Sequence, residues 1–191
     1  MKLLLGSNSP RRLDLLQGLG FEFEKVKINC NEDFFGVESR DVAKFLAEKK
    51  SNAYRDLKAN EILITADTVV LVNNFILNKP DNEQNAKEML GLLSNKAHQV
   101  ITGVCIRSFS KVISFDNVTE VRFDTLSLSE MDYYISGCKP YDKAGSYGIQ
   151  EWIGLSKVLG ISGCYYNVMG LPTSAVYKCL TQEFGVHPKG L

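Results

Sequence analysis

The chain has 191 residues, 45% of them hydrophobic and 23% charged, the balance of an ordinary globular protein, which favours neither a disordered chain nor a membrane protein. Its 22 lysines and arginines are matched by 22 aspartates and glutamates. There is therefore no global basic field of the kind that binds nucleic acid by displacing counterions, and any phosphate site has to be local.

The length fits one domain over residues 1–191, or one sheet with two lobes, and is enough to bury a sizeable core. The opening MKLLLGSNSPRR holds only three consecutive leucines, too few for a signal-peptide core or a membrane span, so a cytoplasmic protein is expected. Lys2 to Leu5 reads as a short buried strand running into Gly6-Ser7-Asn8-Ser9-Pro10. Ser9 is a natural helix cap and Pro10 suits the first helical position. Leu13, Leu15, Leu16 and Leu19 give the helix its apolar stripe, and Gly20 stops it.

Phe21 to Ile28 alternates like a strand, and residues 41–57 have helical composition. The run Ile62 to Val72 reads as a central strand interrupted by one acid, Asp67. Asn73-Asn74 turns a hairpin into Phe75 to Leu77, and Asn82 to Leu93 reads as a helix. Residues 99–107, 111–115 and 119–126 read as successive strands, followed by a helix capped by Ser129 and carrying Met131, Tyr134 and Ile135. The glycine-studded stretch 139–150 reads as a working loop. Pro172 opens a last helix with Ala175, Val176, Leu180 and Phe184, and the tail from Gly185 is expected to fray. The order is mixed α/β, with helices able to cover a central sheet.

Two local conflicts point to chemistry. Arg11 and Arg12 stand in the first turn of the first helix, where the dipole disfavours cations. A bound phosphate reverses that argument, because free N–H groups, the Ser7 and Ser9 hydroxyls and two guanidiniums then converge on one anion; two solvated arginines beside a simple cap are the plainer alternative. Asp67 is the second conflict, since a carboxylate inside an apolar strand requires compensation. A divalent cation shared with Glu32, the ammonium of Lys50 or Lys79, or backbone N–H groups at a strand end would each supply it. The glycines of the loop Lys143 to Gln150 would let backbone approach a nucleotide closely, with Tyr147 or Gln150 facing the base, and a tight turn with no ligand accounts for them equally.

Five cysteines without a CxxC pair read as buried thiols rather than a disulfide or zinc framework. His98 reads as structural or as a support for the site, and no Ser-His-Asp arrangement is evident.

Taken together, Ser7-Asn8-Ser9-Pro10-Arg11-Arg12, Ala66-Asp67-Thr68-Val69-Val70, Lys79-Pro80, HQVITGV (98–104), KAGSYGIQ (143–150) and NVMGLP (167–172) resemble the Maf family, in the family's order and over about nine tenths of the chain. The resemblance implies a mixed twisted sheet flanked by helices, two lobes around a cleft, similar to the inosine triphosphate pyrophosphatase fold. It implies hydrolysis of nucleoside triphosphates to monophosphate and pyrophosphate, a Mg²⁺ or Mn²⁺ requirement, and a homodimer with no stable nucleic-acid binding and no membrane attachment. The ADT and KAGSYGIQ blocks resemble the branch that accepts dTTP and UTP, with modified pyrimidine nucleotides as further candidates.

By that match Asp67 is the catalytic acid/base residue and shares the metal with Glu32. Ser7, Arg11, Lys50 and Lys79 hold phosphates, while Arg12, Thr68 and Gln150 help choose the base. The chain departs from the family at Asn31-Glu32, where an acidic pair is common, and at Phe45, where an arginine is common. Two other readings remain beside the enzyme: a noncatalytic nucleotide-binding regulator of septum formation, and a nucleotidyltransferase, which also sets glycine and arginines after its first strand.

Overall fold

The computed structural model describes residues 1–190. Seven strands among them form one mixed sheet in the order β2 (Phe23–Lys25), β1 (Lys2–Leu5), β3 (Glu61–Val72), β5 (Ala97–Ser108), β6 (Val112–Phe123) and β7 (Val158–Ser162), with β4 (Phe75–Leu77) paired to β3. β1 runs parallel to both β2 and β3, whereas β4 and β7 are antiparallel to their neighbours. The helices are α1 (Pro10–Gly18), α2 (Val42–Ala53), α3 (Glu83–Leu93), α4 (Leu128–Cys138), α5 (Trp152–Lys157), α6 (Tyr165–Met169) and α7 (Thr173–Lys178).

The described residues divide into two compact units. The first comprises Met1–Asp67, Thr102–Asn117 and the segment from Gly170 onward. Leu3 and Leu5 of β1 and Ile62, Ile64 and Ala66 of β3 pack with Leu16, Val176 and Leu180. Leu4 and Leu63, at the intervening positions, are buried too, as the continuous apolar runs of strands covered on both faces require. α2 buries Val42, Ala43, Leu46 and Ala47. It rides very close to the sheet: a Cβ on Gly103 of β5 would lie 2.3 Å from the backbone of Ala43 and Lys44. The Thr65 hydroxyl of β3 donates to the Ala47 carbonyl at 2.7 Å. Two points on two strands thus set the height and register of α2.

The second unit comprises Thr68–Ile101 and Val118–Met169. Val70, Val72, Val100, Val121 and Phe123 from its strands pack with Leu90 and Leu93 of α3 and with Met131, Tyr134 and Ile135 of α4. Asn73 and Asn74 take φ of 48° and 65°, the doubly left-handed turn that matches hairpin twist. His98 is buried in this core, its Nε2 2.7 Å from the Tyr147 hydroxyl and its ring edge-on to Phe123 at 5.0 Å. Burial pulls its pKa down to about 4.

Several elements differ from the reading of the sequence. The runs 111–115 and 119–126 belong to one strand, β6; Asp116-Asn117 looks like a turn locally, but sheet pairing overrides a weak breaker. The cap of α4 is Ser127, not Ser129: Ser127 has Glu130 at the third helical position, and the two exchange N–H bonds of 2.8 and 3.3 Å, completing a capping box. Strand character in 21–28 is limited to Phe23–Lys25. The tail beyond Gly185 is tied back, with Val186 N–H donating to Leu180 O and Lys189 N–H to Gly20 O. Of the five cysteines, Cys105 and Cys179 are buried, while Cys30, Cys138 and Cys164 are half-exposed.

Two predictions follow from this packing. Gly103→Ala forces α2 away from β5 and lowers stability by at least about 1–3 kcal/mol, the range for overpacking, read as a fall in the urea midpoint. For His98 the folded-state pKa lies below the unfolded value, so as pH falls from 6.5 towards about 4 the unfolded chain takes up the proton first. About 2–3 kcal/mol of stability is lost across that window. Urea titrations at pH 7 and about pH 4.5 measure it, and His98→Gln removes this part of the pH dependence.

Candidate functional site

The first unit assembles a charged group around the link from β1 to α1. Gly6 donates its N–H to Ile64 O at 2.8 Å, and a Cβ there would come within 2.2 Å of the Ile28 side chain. A larger residue there would have to push the Ile28 side chain aside. Ser9 stands at the helix cap with extended backbone, but its side chain makes no capping bond; instead the Ser7 hydroxyl accepts the Ser9 N–H at 3.2 Å. The first turn of α1 holds no acidic residue, leaving its positive end available to an anion.

Arg12 is fixed by the main chain. Its Nε donates to Gly170 O and its Nη1 to Ala66 O, both at 2.8 Å, and Nη1 is 3.5 Å from the Ser7 hydroxyl. One guanidinium thereby joins the Ser7 loop, the residue preceding Asp67, and the NVMGLP segment. Burial lowers its pKa from the ordinary arginine value, against the attraction of Asp67; an arginine nevertheless stays charged at neutral pH.

Asp67 occupies one of the two adjacent half-buried positions of β3, the rest of which is buried. Lys50, in the last turn of α2, places its ammonium 2.5 Å from Asp67 Oδ1 and 3.1 Å from Glu32 Oε1. The Lys50 and Asp67 side chains are only 14% and 13% exposed, against 53% for Glu32. Lys50 compensates the carboxylate in the strand, and Glu32 reaches the same ammonium from the solvent side. Of the partners that the sequence offers Asp67, the structure selects Lys50, with Glu32 alongside.

Among the described residues no group of three or more His, Cys, Asp or Glu side chains encloses a metal position. The oxygens of Asp67 and Glu32 nonetheless converge on one cationic point, the Lys50 ammonium. Two hard carboxylates fit Mg²⁺ or Mn²⁺, provided that phosphate oxygens and water complete the shell, because Mg²⁺ is ordinarily held by one or two carboxylates plus substrate phosphates. The donor set does not fit a closed all-protein metal cage.

Arg11, in the first turn of α1, is half-buried in the first unit, and the other predicted residues lie in the second. Thr68 follows Asp67 on β3 and is half-buried, whereas Lys79 and Gln150 are exposed. The loop carrying Gln150 is anchored beside Lys79, with Gly145 N–H donating to Asn78 O at 3.1 Å. Gly145 has φ 68°, and a Cβ there would meet the Val70 side chain at 2.9 Å, so both conformation and space require glycine. Tyr147 does not face a ligand: it is buried among the core side chains and bonded to His98, which gives the structural role of His98 its partner. Reading 139–150 as a working loop overlooked that Lys143 and residues 145–149 are buried. It also overlooked the pairing of Lys143 with Glu151 at 3.0 Å, for which the only sequence signal is a Lys and a Glu bracketing the glycines.

No helix among the described residues is long and apolar enough to cross a membrane. The Maf-like protein family matches residues 2–183. The chain is 49% identical over 179 residues to the dTTP/UTP pyrophosphatase of Phocaeicola vulgatus, covering 92% of this chain and 93% of that protein. It is 46% identical over 189 residues to the dTTP/UTP pyrophosphatase of Porphyromonas gingivalis, covering 96% and 94%. The protein of that name from Flavobacterium johnsoniae is 44% identical, with 94% of each chain covered.

Arg12→Met should uncover the Ala66 and Gly170 carbonyls and lower stability by about 1–3 kcal/mol, the cost of leaving a buried acceptor unpaired. Arg12→Lys should recover only part of it, because a single ammonium cannot span two carbonyls as a planar fork does. Urea midpoints of the three proteins check both statements.

Proposed function

The chain belongs to the Maf-like protein family, and from that premise we propose that it is a hydrolase that splits dTTP and UTP into the nucleoside monophosphate and pyrophosphate. The names carried by relatives at 44–49% identity over nearly the whole chain support this substrate class. The observation that carries the chemistry is the Asp67 carboxylate, held at 2.5 Å by the Lys50 ammonium within a group that also contains the fixed Arg12 and the Ser7 loop.

In this reading Ser7, Arg11, Lys50 and Lys79 bind the phosphate oxygens. Lys50 is already oriented by two carboxylates, so little freedom is lost when an anion joins it. Asp67 orients a water with its remaining oxygen and takes its proton as the water's oxygen bonds to the α phosphorus in line. The bond from that phosphorus to the bridging oxygen breaks, and pyrophosphate leaves with the bonding electrons. A Mg²⁺ or Mn²⁺ ion held by Glu32, Asp67 and the phosphates would supply neutralisation of the triphosphate charge. Arg12, Thr68 and Gln150 select the base. The protein acts in the cytoplasm as a homodimer, on free nucleotides rather than on nucleic acid or a membrane.

The test is product analysis on a panel of canonical and modified triphosphates with Mg²⁺ or Mn²⁺. UTP and dTTP should yield monophosphate and pyrophosphate, chelation of the metal should abolish turnover, and Asp67→Asn should lower kcat by ~10² to 10⁴ while the protein stays folded. Full turnover by the variant, or release of single phosphates, would remove Asp67 from its role or change the reaction. Binding of nucleotide with no turnover at all would move the protein to a regulatory class.

A further inference from the structure

We propose that Lys143, Glu151 and Tyr134 form a clasp that sets base selectivity by holding the loop that ends in Gln150. It rests on Gln150 being a base-reading residue in the pyrophosphatase reading above. The three are positioning residues, since they act through Gln150 and not on the nucleotide.

The clasp is a continuous set of polar contacts. Lys143 is buried, and its ammonium lies 3.0 Å from Glu151 Oε1 and 2.7 Å from Asp142 Oδ1. The other Glu151 oxygen accepts the Tyr134 hydroxyl, which in turn accepts the Gly148 N–H at 2.9 Å. Tyr134 comes from α4 and is fully buried; burial, and then its bond to the carboxylate, push the phenol's pKa above its ordinary value, which keeps it a donor. Both ends of the loop and its middle thus meet at one carboxylate. Gly148 has no Cβ to spare: one placed there would lie 2.8 Å from Glu151 Cδ and 3.0 Å from Lys143 Cε.

The clasp fixes a register. Tyr147 and Ile149 are buried and Gln150 is exposed, so a slip by one residue would turn Gln150 towards the core. The anchors fall on both sides of it, at Gly148 and at Glu151, the residue bonded directly to Gln150. A buried ion pair contributes little net stability against an apolar replacement, because desolvation offsets most of the attraction. Its effect here is to hold a backbone in place.

Tyr134→Phe keeps the ring in the core and removes only the hydroxyl. In this variant the preference for UTP over CTP, taken as the ratio of kcat/KM values, should fall about tenfold, the size of effect expected when one polar contact is misplaced, and the change should appear in the KM for UTP. Glu151→Gln, which keeps shape but not charge, should act in the same direction. In a double-mutant cycle, either change made on top of Gln150→Ala should have no further effect on the ratio, since both work through one side chain. An unchanged ratio, an equal loss for all triphosphates, or effects that multiply with Gln150→Ala would overturn the proposal. Backbone amide exchange at Gly148 is the readout independent of activity: exchange should be faster in Tyr134→Phe, and unchanged exchange would dispose of the clasp. Wild-type protein that turns over no triphosphate overturns the pyrophosphatase reading by itself, while amide exchange still decides the clasp.

Discussion

A carboxylate in the middle of an apolar strand is the constraint on which the first unit depends. Asp67, with Thr68 beside it, interrupts a strand whose other positions are buried, and a charge in that position is tolerated only with a partner at close range. Lys50 is that partner, and it arrives on α2. Its 2.5 Å approach is possible because Gly103 lets the α2 backbone descend onto β5 and Thr65 bonds to Ala47, one turn before Lys50. A missing Cβ on one strand and a hydroxyl on another are therefore part of how the charged group is built, although neither residue belongs to it.

Arg12 ties the same group to the N-terminal loop. An arginine in the first turn of a helix is unfavourable taken alone, but two of its nitrogens are committed to the carbonyls of Ala66 and Gly170. It is less a mobile clamp than a strut that carries charge. Because Ala66 precedes Asp67, the position of the carboxylate is coupled through a single peptide to the loop bearing Ser7. Its neighbour Arg11 adds charge from the same turn, and the repulsion between the two guanidiniums is one of the influences that lower the pKa of Arg12.

Much of this was legible in the sequence, wherever a residue violates the expectation of its own element. Asp67 in an apolar run, two arginines at a helix start and Asn73-Asn74 between strands each announce themselves locally, and Lys50 was one of the partners that could be named for the acid, beside Lys79 and a cation shared with Glu32. What was not legible depends on who sits opposite. The interior of 143–150 looks like an exposed glycine loop because glycines and a lysine give it the composition of a surface turn; that Tyr147 meets His98 is decided by β5, remote in the chain, and the Glu151 that pairs with Lys143 is held by Tyr134 of α4. The short elements between Trp152 and Met169 lack the length for a periodic signal. β6 was divided at Asp116-Asn117 because sheet pairing has no local mark.

The two kinds of residue in the proposed site do different physical work. Charges attract every triphosphate alike, so in the proposed site Arg11, Lys50 and Lys79 would confer affinity without choosing a base. Choice has to come from neutral polar groups, whose discrimination depends on an unpaired donor or acceptor being left over when the wrong base is bound. That penalty is real only if the reading side chain cannot move to relieve it. Rigidity in the loop before Gln150 thus serves selectivity more than any added charge would, and it accounts for the placing of a buried lysine, a glutamate and a tyrosine behind a segment whose own contacts with the core come from Tyr147, Ile149 and the partly buried Ala144.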